Sequence, residues 1–402
     1  MKKTFLLMLV CVLCANAWAV VELVDPNYAL ELYTKYDPTE VGTSGRMAVG
    51  PEGNIYITHL FGSPDYNGFI VKIDTEGDPS LFVDGLTRPV GIIWAGGTDF
   101  GDYLYITEGY RNNFFYKGGV TRIGLDGTIT RFTGWSNGLN QPVCLGIDRT
   151  GNYGGSIFVG NSAADDIDRV NIEGTVTAFS PFPYNINGGS PSGIAFDGTG
   201  NYDGAMFVAS RSGYDVQWEG LYRFDADGNP SKFVPDFVEA ISLAFDVSED
   251  SALGGVLYAT ARKADTPKLN LFSVNPDGTS KLIVYTNEGS PVIVSTPEGE
   301  IYMKVNSPGN TVTIYRITVK PICLAIWKLE SAIDEKNAAI ETIERAIAEE
   351  QSAIEKLDEI GDKDIHKAKM EILQAIQRQT HVKGELEKSI KTLQSALESL
   401  KN

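Results

Sequence analysis

Short apolar runs separated by glycine- and aspartate-rich turns recur along most of this chain. The sequences GRMAVGPEGNIYITH from Gly45, VGIIWAGGTDFGDYLYITE from Val90 and VCLGIDRTGNYGGSIFVGN from Val143 share one pattern. SGIAFDGTGNYDGAMFVAS from Ser192, ISLAFDVSEDSALGGVLYAT from Ile241 and PVIVSTPEGEIYMKV from Pro291 repeat it. Each reads as an apolar strand, a tight turn and a second apolar strand. A third strand comes next at Phe69–Ile73, Val120–Ile123, Asp168–Val170, Leu221–Phe224, Leu271–Val274 and Ile314–Ile317. Turn glycines Gly77, Gly127, Gly174, Gly228 and Gly278 then lead into a fourth: SLFV, ITRF, VTAF, SKFV and KLIV.

Four short strands repeating at roughly fifty residues predict the blades of a β-propeller. One such sheet cannot bury both of its faces, so the repeats must stack around an axis. The sixth repeat has no fourth strand of its own, because the chain turns at Lys320-Pro321. ALELYT at Ala29–Thr34 matches the missing strand. Its insertion closes the ring and removes open sheet edges. The expectation is an all-β six-bladed propeller over residues 20–320.

After Pro321 the period changes from two to seven. Ile333, Ile340, Ile347 and Ile354 form one series, with Ile343 and Leu357 beside it. Gly361-Asp362-Lys363-Asp364 interrupts, and Ile365, Ile372, Gln379, Leu386, Leu393 and Leu400 form a second, flanked by Ile376, Ile390 and Leu397. Sustained heptads predict an α-helical coiled-coil hairpin over residues 321–402. Lys336, Glu350 and Lys383 break its seam. Association between protomers or against a partner helix would bury the rest of the stripe, so homo-oligomerisation or tethering is the expected role.

Lys2 and Lys3, the apolar run Phe5–Cys14 and the ending Ala17-Trp18-Ala19 have the form of a signal peptide over residues 1–19. The run is shorter than the roughly 20 apolar residues of a membrane span, and no later stretch is apolar enough to cross. The mature chain is expected to be exported, to the periplasm, the cell surface or the medium. A net charge of −18 from 34 basic and 52 acidic residues argues against a nucleic-acid partner. Of four cysteines, Cys11 and Cys14 lie in the leader, and Cys144 and Cys323 are expected to be free thiols.

The blade openings at Pro142–Asn161 and Pro191–Ser210 resemble those of NHL-repeat propellers and of gluconolactonases, senescence-marker lactonases and streptogramin lyases. The resemblance spans about residues 27–320. It implies a site at one mouth of the central channel, often with a divalent cation such as calcium.

The exit of each second strand contributes His59, Glu108, Asn161, Ser210, Ala261 and Val305, and the entry to each first strand Arg46, Arg88, Gln141, Ser190, Glu239 and Ser290. His59 and Glu108 hold equivalent places in neighbouring blades, which is the spacing of an imidazole base oriented by a carboxylate. Glu108, Asn161 and Glu239 are candidate calcium ligands, with carbonyls and water completing six to eight oxygens. Arg46, Arg88, Gln141, Asn161 and Ser210, with Tyr110, Tyr214 and Trp218 on the loops, are candidate ligand-binding residues. Asp148, Asp197 and Asp246 precede long turns and are expected to cap them. Two functions stand side by side. One is a scaffold that binds a protein, peptide or carbohydrate; the other is a metal-dependent lactonase- or lyase-like enzyme.

Overall fold

A computed structural model of the chain describes residues 21–38, 42–61, 67–112, 115–134, 138–164, 166–181, 190–211, 219–248, 252–306, 311–360 and 365–401. Its contacts divide into two compact units, Met1–Val319 and Lys320–Asn402.

In the first unit the described residues form six antiparallel sheets, and the fold is a six-bladed β-propeller. Blade 1 runs through Gly42–Val49, Ile55–Phe61, Asn67–Ile73 and Pro79–Thr87 in spatial order. Blades 2, 3 and 4 begin at Pro89–Trp94, Pro142–Ile147 and Ser190–Phe196 and repeat the same order. Blade 5 begins at Phe237–Phe245 and blade 6 at Val292–Ser295. Isoleucine, valine and aromatic residues fill the second strands, where both faces are covered; Ile157–Asn161 is buried throughout.

Tyr28–Tyr36 supplies the fourth strand of blade 6. It runs antiparallel to Val312–Val319, with Leu30 opposite Ile317 and Tyr36 opposite Val312. The expected closing strand therefore sits in place, and the final blade is sealed by the beginning of the described chain. Val21–Leu23 adds a feature that the repeat pattern did not indicate. It pairs with Ser280–Thr286 as a fifth strand on the outer edge of blade 5.

The core lies between blades rather than within them. Ala48, Tyr56 and Ile70 of blade 1 pack with Ile92, Leu104 and Ile106 of blade 2. Phe207 and Leu221 of blade 4 meet Phe237, Leu257 and Phe272 of blade 5. Met47, Ile57 and Val71 of blade 1 meet Val292, Tyr302 and Ile314 of blade 6, which closes the circle. Each interface buries apolar surface at about 25 cal/mol per Å², and a missing blade would expose two such faces.

The three turn aspartates are caps. Asp148 Oδ1 accepts from Thr150 N, Thr150 Oγ1 and Gly151 N, and its Oδ2 accepts from Tyr153 N and Gly155 N. Asp197 repeats this set one blade on, and Asp246 gathers Ser248, Leu253 and Gly255. In the first two turns a tyrosine then reaches the next blade, where the Asp246 turn has Leu253 instead. Tyr153 Oη donates to Phe224 O at 2.7 Å and accepts from Met206 N at 2.9 Å. Tyr202 Oη makes the corresponding pair with Val274 O and Leu257 N.

The second unit is a helical hairpin of α1, Pro321–Ile360, and α2, Ile365–Lys401. Pro321 opens α1 where its missing N–H costs nothing. Ile333, Ile390 and Leu397 are buried, with Ile326, Leu329, Ile340 and Leu393 packed on them. Lys401 pairs with Glu330 at 2.9 Å, Lys383 with Glu344 at 2.6 Å, and Gln379 with Glu350 at 3.1 Å. Partners move back along α2 as one moves forward along α1, so the helices are antiparallel. Two of the polar seam-breakers, Glu350 and Lys383, thus have partners across the hairpin.

Candidate functional site

A cavity of about 680 Å³ follows the first strands along the propeller axis. Equivalent positions of the six blades place Met47, Ile92, Leu145, Ile194, Leu243 and Ile293 in its lining. An aliphatic ring therefore runs round the wall, with Glu52, Arg149, Thr150 and Glu298 also in the lining. Gly146 belongs to it too: a Cβ there would stand 2.5 Å from Ile194 Cγ2, so only glycine lets these strands approach so closely. The serine hydroxyls of the first strands in the lining are already engaged between blades. Ser192 Oγ donates to Ala240 O at 2.8 Å, and Ser242 Oγ accepts from Ile293 N at 3.1 Å.

The level where the first strands begin is cationic. Arg46 lies in a bulge between Ser44 and Met47 and lines the cavity. Bulges of this kind re-aim a side chain. Its backbone is pinned to Thr58 Oγ1, while its guanidinium makes no side-chain hydrogen bond among the described residues. Desolvation pulls Arg46 down to about 10; the Cys144 thiol and the like charge of Arg211 also act on it. Lys304 is fully buried in the second strand of blade 6. Its register matches Thr58, Thr107, Gly160, Ala209 and Thr260, all of them small. Lys304 Nζ donates to Ser44 Oγ at 2.7 Å and Gly45 O at 2.5 Å, tying blade 6 to blade 1. Burial, helped by the Arg46 charge, lowers Lys304 to about 7. The repeat pattern points to Val305 at this level and passes over Lys304. A lone lysine in the run IYMKV is the signal that marks it.

The exit ring does not form a dyad. His59 is fully buried, stacked on Phe69 with centroids 4.8 Å apart, and its Nε2 lies 2.9 Å from Tyr36 Oη. Burial, with a contribution from Lys304, drives its pKa down to about 3, and Nδ1 has no partner among the described residues. Glu108 is occupied elsewhere. Its Oε1 accepts from Thr87 N at 2.6 Å and its Oε2 from Thr121 Oγ1. Asn161 does the corresponding task one blade on: its Oδ1 accepts from Asn140 N at 3.2 Å. Thr87 and Asn140 both lie on the connection arriving from the previous blade, and Tyr36 ends the strand that leads into blade 1. These exit side chains hold the crossover between blades, which is a structural role.

Nor does the structure bring Glu108, Asn161 and Glu239 together as a calcium set. Asn161 Nδ2 donates to Asp166 at 2.7 Å and Asp168 at 2.8 Å, while Glu239 is held by Arg262 at 3.2 Å and Arg211 at 3.7 Å. Desolvation and the neighbouring Asp166 raise Asp168 to about 6. Among the described residues no cluster of three or more His, Cys, Asp or Glu could hold a metal ion.

Of the other expected ligand-binding residues, Arg88 and Gln141 are partly buried, at φ 47° and 52°. Both precede a proline, in a left-handed conformation that costs a non-glycine residue on the order of 1–3 kcal/mol. Ser210 is buried, and its hydroxyl has no partner among the described residues. The Tyr110 side chain, Tyr214 and Trp218 lie outside the described residues, as does the expected leader over residues 1–19. Among the described residues, no helix is long and apolar enough to cross a membrane. Cys144 and Cys323 form no disulfide, and burial pushes the Cys144 thiol up to about 12, which makes it inert.

Comparison with known proteins places the fold. A gluconolactonase from Xanthomonas campestris superposes with a TM-score of 0.52 at 14% identity, over 76% of this chain and 98% of that one. A protein of unknown function from Bacteroides thetaiotaomicron gives 0.49 at 13%, over 72% of this chain and 76% of that one. No family model and no curated protein matches the sequence. The propeller is gluconolactonase-like in fold; at such identity the likeness carries no chemistry.

Proposed function

We propose that this chain is an exported binding propeller, whose heptad-bearing hairpin acts as a coiled coil to join copies of the chain or tether it. The observation that carries the reading is the make-up of the channel. An aliphatic ring runs round its wall, the mouth carboxylates Glu108 and Glu239 are engaged by Thr87, Thr121, Arg211 and Arg262, and Arg46 faces the cavity with Lys304 buried behind it. The Arg46 charge, joined by Lys304 wherever it is protonated, repels a divalent cation. The imidazole expected to act as base is neutral, buried and stacked, out of contact with Glu108. What remains is a site suited to holding a ligand rather than activating water.

The test uses the full mature chain. Elemental analysis should find less than stoichiometric metal, and lactones supplied with calcium, zinc or manganese should not turn over. One tightly held ion per chain together with lactone hydrolysis would overturn the reading. Light scattering should give a mass above that of one chain, and a strictly monomeric mass would remove the joining role. Secreted material should begin at Val20.

A further inference from the structure

The charge on Arg46 lacks a counterpart. Among the described residues the groups acting on it are the Cys144 thiol and Arg211. Cys144 lies on blade 3 and lines the same cavity as Arg46 of blade 1, and Arg211 lies at the end of the second strand of blade 4. Cys144 stays protonated near neutrality, Arg211 is itself positive and lies 3.7 Å from Glu239, and Lys304, lowered to about 7, is either positive or neutral. Lys304 has found Ser44 and Gly45 as acceptors, but the Arg46 side chain has none among the described residues. Lysine can shed its proton when desolvated; a guanidinium near neutral pH cannot. Arg46 is half-buried, and a partly desolvated charge without a partner is stabilised when an anion completes it.

We infer that the channel binds an apolar monocarboxylate, its carboxylate forked on the Arg46 guanidinium and its hydrocarbon laid along the aliphatic ring. The inference rests on the binding reading above and names the ligand class for that site. The cavity of about 680 Å³ is of the size of small-molecule pockets, typically about 300–1,000 Å³. One planar fork matches one carboxylate in two parallel hydrogen bonds. Lys304 contributes field rather than bonds, since Ser44 and Gly45 hold its ammonium. A doubly charged phosphate would want more donors than the channel offers. A sugar would want hydroxyl partners, yet Ser192 and Ser242 are spent on bonds between blades. The ring of Met47, Ile92, Leu145, Ile194, Leu243 and Ile293 offers contact to a chain of methylenes, each worth about 0.8 kcal/mol when buried.

Titration calorimetry of the full mature chain tests this with three probes: decanoate, decan-1-ol and acetate. Decanoate is expected to bind one per chain, at least ten-fold more tightly than the alcohol, which lacks the charge, or acetate, which lacks the tail. Arg46→Met should weaken decanoate at least ten-fold and leave decan-1-ol unchanged. Arg46→Lys, which keeps the charge and loses the fork, should fall between the two. It also supplies the readout should the methionine variant fail to fold. Equal affinity for decanoate and the alcohol, acetate binding as tightly as decanoate, or decanoate affinity indifferent to both Arg46 variants would overturn the inference. So would the absence of decanoate binding to the unaltered chain. That last result would leave the propeller a binder of something else, whereas metal-dependent lactone turnover would remove the binding reading itself.

Discussion

Replacing Asp197 by alanine removes one carboxylate and strands five donors. Thr199 N, Thr199 Oγ1 and Gly200 N bond to Oδ1 at 2.9, 2.6 and 3.1 Å. These sit near the rim of the turn, where water can replace the acceptor at a cost of about a few tenths of a kcal/mol each. Tyr202 N and Gly204 N bond to Oδ2 at 2.8 and 3.0 Å, behind a carboxylate that is only 1% exposed. A buried donor left without an acceptor costs about 1–3 kcal/mol. Tyr202 is also the pin into blade 5 through Leu257 N, so loosening the turn loosens that joint. The expected loss is about 3–5 kcal/mol. Urea unfolding followed by tyrosine and tryptophan fluorescence would show it as a lower midpoint. Calcium and EDTA should leave both proteins unchanged, because the carboxylate oxygens are committed to the turn. A loss under about 1 kcal/mol, or stability that rises with calcium in the unaltered chain alone, would refute the capping argument and restore Asp197 as a cation ligand.

Other outcomes rest on the same geometry. His59 has a folded pKa of about 3 against an ordinary 6.5, so unfolding takes up a proton below that ordinary value. Its contribution to stability is complete above pH 6.5 and is lost as pH falls toward 3; replacing His59 with phenylalanine should flatten this part of a stability-versus-pH curve. Asp168 runs the opposite way: with its pKa raised to about 6 from 3.8, the fold loses stability as pH climbs through that window. Asp168→Asn keeps an acceptor for Asn161 and should stabilise the chain at neutral pH by about 1–3 kcal/mol; a destabilised variant in thermal unfolding would contradict this. Glu108→Ala should cost about 1–3 kcal/mol by leaving Thr87 N without its acceptor, and an unchanged urea midpoint would count against the crossover role. Ile390→Asp buries a charge in the hairpin seam and should lower helical content by circular dichroism, with the β signal retained.

The turn aspartates show how sequence and structure divide the work. The string Asp-x-Thr-Gly-Asn-Tyr-x-Gly at Asp148 and again at Asp197 spells out a cap from local chemistry alone, and the caps are present. That Tyr153 and Tyr202 go on to pin the next blade was encoded in the same repeat, but it needed the neighbouring sheet in place to be seen.

The exit ring shows the opposite case. The repeat located His59, Glu108 and Asn161 correctly at the exits of their strands, in equivalent places of neighbouring blades. Equivalence of place does not say what each side chain abuts. Bulges between Ser44 and Met47, Pro89 and Ile92, Pro142 and Cys144, and Pro191 and Gly193 shift the register just at the channel mouth. An inserted residue exchanges the faces of the positions beyond it, and local pattern does not announce it.

By itself, then, the sequence determined the quantities set by neighbours along the chain: four strands per repeat, six repeats, a closing strand from the start of the described chain, capped turns and a helical hairpin. Only the tertiary structure decided that the exit side chains serve the joints between blades, that Val21–Leu23 extends blade 5, and that the charge of Arg46 acts on the buried Lys304. The reason is physical. Strand and helix patterns arise from covalent spacing, whereas the charge and polarity of a channel are set by residues hundreds of positions apart that meet when the ring closes.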